Sequence, residues 1–134
     1  MTSVLGVIQA SINATTLALI DAGIPMLDYV CAITAGTFST SPLLDLTHLE
    51  ESDIPHLTVA TIPRTGKVTL VTMETRLHVD RFEEIFRLAV QAGGVLHKEM
   101  RRAVRSRTHT LATAMALRGD GVKAKVEDED MMDV

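Results

Sequence analysis

Two groups of side chains in this sequence have the types and spacing for chemistry. Asp45, Glu50, Glu51 and Asp53 gather carboxylates in one short stretch. Such a group can hold a metal ion or supply a general acid. No partner base or phosphate cradle accompanies it, so a solvated acidic loop is the first expectation. Lys98, Arg101, Arg102, Arg105 and Arg107 form the basic counterpart. Arg101 and Arg105 stand at i,i+4, with Arg102 beside them, in a pattern suited to a phosphate backbone. No aromatic residue is interleaved for base stacking, and cations near a helix C-terminus also suit the macrodipole. A solvated helix face is therefore the first expectation here too.

The remaining candidates are weaker. His48, His56, His78, His97 and His109 lack metal-ligand spacing, so neither a metal nor another cofactor is expected. Ser11, Thr15 and Thr16 have no positioned base that would activate a hydroxyl, and packing roles are expected. Cys31, the only cysteine, lies in the apolar run Tyr29-Val30-Cys31-Ala32-Ile33. A buried thiol in a reducing compartment follows.

The elements that would position these groups can be read from pattern. Residues 3–22 form a helix with Ala10, Ala14, Ala18 and Ala22 at i,i+4 and with Leu5, Ile8, Ile12, Leu19 and Ile20 on other faces. It is apolar nearly all round, so burial on more than one side is expected. Gly23 suits the position after its C-cap, and Pro25 blocks continuation. Residues 26–37 read as a strand, and 43–46 as a short second one. The polar stretch from His48 to Pro55 reads as a loop. Two β-rich runs, His56 to Ile62 and Lys67 to Met73, flank Pro63-Arg64-Thr65-Gly66 as a hairpin. Phe82, Ile85, Phe86, Ala89 and Val90 open a long helix expected to reach about Met115, loosened at Gly93-Gly94. Residues 118–134 form an acidic tail, expected to be disordered. The order gives an α+β layer, with helices on one face of a small sheet. Aromatics are only 3%, with no Trp, so Leu, Val, Ile, Ala and Met must build the core.

A net charge of −4 argues against a free-standing nucleic-acid binder. The first twenty residues lack a basic n-region and carry Gln9, Asn13 and several hydroxyls. Neither a signal peptide nor a membrane span is expected. The residues by themselves thus describe an intracellular α+β half-module with an apolar helix that wants a partner.

The run from Ile12 to Met26, Ile-Asn-Ala-Thr-Thr-Leu-Ala-Leu-Ile-Asp-Ala-Gly-Ile-Pro-Met, resembles the RNase PH family. Asp28-Tyr29-Val30, Pro42 to Leu46, Leu49-Glu50-Glu51, Gly66 to Leu70 and Leu77 to Phe86 agree in order, so the resemblance spans residues 4–107. It is strongest to the exosome ring subunit that corresponds to the archaeal catalytic subunit, and it covers the carboxy-terminal half only. The resemblance implies half of an RNase PH fold (the ribosomal protein S5 domain 2-like architecture) over residues 1–117.

In the family, phosphate is held by a Gly-Gly-Thr-Arg-like turn just before the first helix. Ungapped placement puts Leu5, Gly6, Val7 and Ile8 there, with Ile8 in place of the guanidinium. Of the family's paired carboxylates, the second falls near His56, and Asp53 is the nearest acid. Both sites look degraded. The resemblance therefore implies a non-catalytic subunit of the RNA exosome ring in the nucleus, nucleolus and cytoplasm. Its partners would be other RNase PH-like ring subunits, cap proteins and RNA, with no membrane; the basic cluster itself offers Arg101, Arg102 and Arg105 as candidate RNA contacts. Two alternatives stay open: a phosphate-dependent 3′-to-5′ exoribonuclease, and a stand-alone homodimer that mimics the two-lobed fold.

Overall fold

The computed structural model describes residues 5–73 and 75–130. Its elements run α1 (Leu5–Asp21), β1 (Cys31–Phe38), β2 (Ser41–Leu44), α2 (His48–Asp53), β3 (His56–Ile62), β4 (Lys67–Met73) and α3 (Val79–Asp130). The strands form one antiparallel sheet in the order β2-β1-β3-β4. This is the α+β arrangement that the pattern implied.

The β3–β4 hairpin has the expected bounds, and Gly66 supplies the turn's positive φ of 68°. In the β1–β3 register, Ile33 faces Val59 and Ala35 faces Leu57. These four residues therefore share one face of the sheet. Onto that face α3 lays Phe82, Ile85, Phe86, Ala89 and Val90, the stripe legible in the sequence. Ala35, Leu57, Val59, Ile85 and Ala89 are buried there, and the stacked rings of Phe82 and Phe86 pack beside them. On the opposite face, Thr34 and Thr58 are equally buried and join through their hydroxyls at 2.9 Å. The central strands are thus buried on both sides, which is why the apolar pattern of β3 does not alternate cleanly.

The structure corrects several expectations. His48–Asp53 is a short helix, not a loop. Its signal is the Thr47-x-x-Glu50 capping box: the Glu50 carboxylate accepts from both the backbone N–H and the hydroxyl of Thr47 at 2.8 Å. β1 begins at Cys31, so residues 26–30 are outside the strand. The helical assignment of α3 continues past Met115 to Asp130; within the expected acidic tail, residues 131–134 lie outside the described residues. α1 is not buried on several sides. Among its described residues only Thr16 is buried, and Ala10, Ala14 and Ala18 face solvent.

By contact the chain divides into two compact units, one ending at Met100 and one starting at Arg101. The sheet, α1, α2 and the first part of α3 make up the first unit. Among the described residues, no helix is long and apolar enough to cross a membrane.

Gly93 and Gly94 do not break α3; they do different work. A Cβ on Gly93 would lie 2.9 Å from the Thr61 hydroxyl, whereas one on Gly94 would meet nothing within 4 Å. Gly93 is therefore a contact residue that lets helix and sheet approach. Gly94→Ala should raise stability by about 0.5–1 kcal/mol through helix propensity alone. Gly93→Ala should lose about 1 kcal/mol or more through overpacking, and pairing it with Thr61→Ala should recover much of that loss. Urea denaturation of the four proteins checks the contrast.

Cys31 is fully buried, with its thiol 3.5 Å from the Met100 sulfur. Burial, and secondarily the nearby Asp28 charge, push the thiol from 9.0 up to about 11. The folded state therefore favours the protonated thiol. Its contribution to stability is fully present below pH 9 and is lost as pH rises through about 11. Alkaline denaturation should show this loss in the native sequence and not in Cys31→Ala. Ellman's reagent at pH 8 should label the thiol only on unfolding.

Candidate functional site

One polar row gives the head of this fold its geometry. Gln9, Asn13 and Thr16 fall at i, i+4 and i+7 on α1, so they share one helical face. That face meets the edge of β1 that β2 does not reach, since β2 pairs only with Ala35 through Phe38. Asn13 acts as a double clamp: its Oδ1 accepts from the Ala32 N–H at 2.8 Å and its Nδ2 donates to the Ala32 carbonyl at 2.9 Å. Gln9 Oε1 accepts from the Thr34 N–H at 2.6 Å. The Thr16 hydroxyl donates to the Val30 carbonyl at 2.9 Å. Side chains of a helix thus satisfy the backbone groups that a neighbouring strand would otherwise take.

This row decides what the acidic stretch can do. Gln9 Nε2 donates to Asp45 Oδ1 at 3.0 Å, and the Asp45 N–H donates to the Thr34 carbonyl at 2.9 Å. Asp45 adopts φ 56°, a left-handed conformation that Asp tolerates better than most residues. The first carboxylate of the cluster is therefore brought to α1, but as a partner for an amide. Glu50 serves as the α2 cap, and its two bonds from Thr47 lower its pKa. The side chain of Glu51 lies outside the described residues. Asp53, at the end of α2, is exposed, whereas His56 is buried. His56 Nδ1 lies 2.6 Å from the Ile54 carbonyl, which can only accept, so this nitrogen carries the proton. The carboxylates and His56 are thus distributed among a turn, a cap and the core. Among the described residues, no group of three His, Cys, Asp or Glu side chains could hold a metal ion.

The stretch expected at the family's phosphate position forms the first turn of α1. Gly6 is half-buried, Val7 exposed and Ile8 half-buried; the side chain of Leu5 lies outside the described residues. This turn contains no acidic residue and no basic one. Its amides keep the general capacity of a helix N-terminus for anions, without a side chain to hold one.

The basic cluster falls on both sides of the division at Met100 along the chain. Lys98 belongs to the first unit; Arg101, Arg102, Arg105 and Arg107 belong to the second. All five are exposed. The hydroxyls of Thr108, Thr110 and Thr113 turn back onto the carbonyls of Val104, Ser106 and His109 at 2.9–3.0 Å. His97 contributes packing, with its ring edge-on to Tyr29 at 5.0 Å.

The Gln9–Asn13–Thr16 row was not anticipated as a unit. Its signal is three hydrogen-bonding side chains at i, i+4 and i+7 on one face of a largely apolar helix.

With this geometry in place, the likeness to known proteins can be placed on the chain. Residues 28–92 match the model of the 3′ exoribonuclease family, domain 2, the carboxy-terminal RNase PH domain. The fission yeast protein named exosome complex component ski6 (Schizosaccharomyces pombe) is 46% identical over 101 residues, 75% of this chain and 42% of that protein. Human exosome complex component RRP41 is 44% identical over 75% of this chain and 41% of its own length. Exosome complex component SKI6 of Saccharomyces cerevisiae is 33% identical over 76% of this chain and 43% of its own length. The chain thus spans less than half the length of these relatives.

Asn13→Ala should cost about 1–3 kcal/mol, because it leaves both backbone groups of Ala32 without their partner. Ala14→Ser, one residue along on the exposed face, should change stability by less than about 0.5 kcal/mol. Thermal and urea unfolding of the two variants test whether the row carries the load.

Proposed function

We propose, from the membership of residues 28–92 in the second domain of the RNase PH family, that this chain is a non-catalytic ring subunit of an RNA exosome. In that role it supports 3′-to-5′ processing and degradation of RNA without cleaving it. The observation that carries the reading is the bare outer face of α1. Ala10, Ala14 and Ala18 form an exposed row of small residues on a helix that is clamped to β1 from its other side. Small residues let a second surface approach closely, and the matched relatives contain more than twice the length needed to align with this chain. A partner lobe or a neighbouring ring subunit completes the fold there.

Two features support a scaffold over an enzyme. Ile8 occupies the position where active members of the family carry a phosphate-binding arginine, and an aliphatic side chain cannot pair with an anion. His56, near which the second carboxylate position falls by resemblance, is buried and bonded to the Ile54 carbonyl. The partners are other RNase PH-like ring subunits and cap proteins. RNA contacts the chain through Arg101, Arg102 and Arg105 as a sequence-independent backbone interaction. The subunit works in the nucleus and nucleolus and in the cytoplasm.

Native mass and nuclease assays on the full chain, alone and with RNase PH-like ring subunits, test this reading. The expected result is incorporation as a single copy per ring, with no phosphate-dependent release of nucleoside diphosphates by the chain itself. Ala14→Arg should abolish incorporation and shift the chain's own stability by less than about 0.5 kcal/mol. A stable homodimer that ignores those subunits would overturn the assignment. So would phosphorolysis that Asp53→Ala removes.

A further inference from the structure

A cleft of about 410 Å³ lies where α1 hands over to β1, on the far end of α1 from the degenerate phosphate turn. Its walls include Ile20, Ile24, Met26 and Leu27, and Asp28 and Arg64 form its polar side. Leu27 is 98% exposed and Ile24 50%. Exposure of that degree would be unremarkable on a loose loop, but this turn is fixed at both ends. At its start, Gly23 adopts φ 71°, its N–H bonds the Ile20 carbonyl, and the Ile24 N–H bonds the Leu19 carbonyl, each at 3.0 Å. That pair of bonds is a Schellman cap, and Pro25 follows it. At its end, Asp28 accepts from the Tyr29 N–H at 2.8 Å and from Arg64 Nε at 2.9 Å. An apolar rim held in one conformation loses little entropy on binding.

The charge on the cleft wall identifies the occupant. Asp28 is 11% exposed as a side chain and takes Arg64 through Nε. Among the described residues, that is the one hydrogen bond Arg64 makes. Its two terminal nitrogens remain on a side chain that is 72% exposed. A guanidinium edge is matched by a carboxylate that can accept both N–H groups side by side. RNA fits the same edge less well, because a nucleotide would want an aromatic surface to stack on, and the Tyr29 ring is already engaged with His97. We propose that this cleft is a docking site for a protein segment in which an aliphatic side chain is followed by a carboxylate. The aliphatic group fills the space between Ile24 and Leu27, and the carboxylate pairs with the outer edge of Arg64. The site is separate from the outer face of α1 and does not depend on the assembly proposed above.

The test is a side-chain and amide NMR titration of the full chain with acetyl-Leu-Asp-amide, acetyl-Leu-Asn-amide and a short oligouridylate. The aspartyl peptide should shift Ile24, Leu27 and Arg64 resonances and bind roughly two- to fivefold more tightly than the asparaginyl one, the ratio expected of an exposed charge pair. Leu27→Ser should weaken both peptides, and Arg64→Gln should erase the difference between them. Arg64→Lys, which keeps the charge but not the fork, should retain part of it and guards against misreading a local collapse of the turn. Equal binding of the two peptides would overturn the proposal. So would no response at these residues up to roughly 10 mM peptide, or a response to the oligonucleotide alone.

Discussion

The structure depends on a substitution of helix for strand. β1 is the second strand of the sheet, yet β2 covers only its far end. The near end would expose amides and carbonyls in the middle of a protein, at a cost of about 1–3 kcal/mol for each group left unpaired. Gln9, Asn13 and Thr16 remove that cost from the side by bonding Thr34, Ala32 and Val30. A helix can do this only if its polar side chains recur at one face and the chain returns at the right distance. The Schellman turn at Gly23 and the anchored Asp28 provide that return.

The remaining architecture follows from this clamp. With α1 fixed by its polar row, its small residues are left pointing outward, which suits a helix that has a second surface to meet. The other face of the central strands is closed by α3, brought near by Gly93 and sealed by Ile85, Ala89 and the Phe pair. The acidic stretch loses its freedom in the same process: Asp45 partners Gln9 and Glu50 caps α2. What chemistry these residues could have done is traded for position. This is the physical ground for the scaffold role proposed above, and the matched relatives are named as components of a complex.

Much of the fold was legible in the sequence, because local pattern and tertiary need agree there. The hairpin around Pro63 to Gly66 and the Phe82–Val90 stripe are cases in which periodicity, turn chemistry and burial point the same way. Helix α2 was obscured by its polarity, although Thr47 and Glu50 carried the capping signal. The burial of α1 was misjudged because hydrophobicity measures what a helix could bury, whereas its polar row and not its alanine row meets β1. Gly93 and Gly94 look identical in sequence; only the distance to Thr61 separates a contact from a tolerated gap. Of the candidate site, the placement of Ile8 at the family's phosphate position rests on resemblance alone. The roles of Asp45 and His56 could not, since their partners Gln9 and Ile54 are chosen by the tertiary fold.

The clamp can be tested directly by native-state amide hydrogen exchange along β1. Ala32 and Thr34 point their N–H groups away from β3, towards the edge that α1 covers. If side chains of α1 truly replace a strand, these two amides should be protected to nearly the same degree as the strand-paired amides of their β1 neighbours, and they should open with the global unfolding of the first unit. Fast exchange of Ala32 and Thr34 beside protected neighbours would contradict the account, because it would mean that the edge is open and that α1 is merely resting against it.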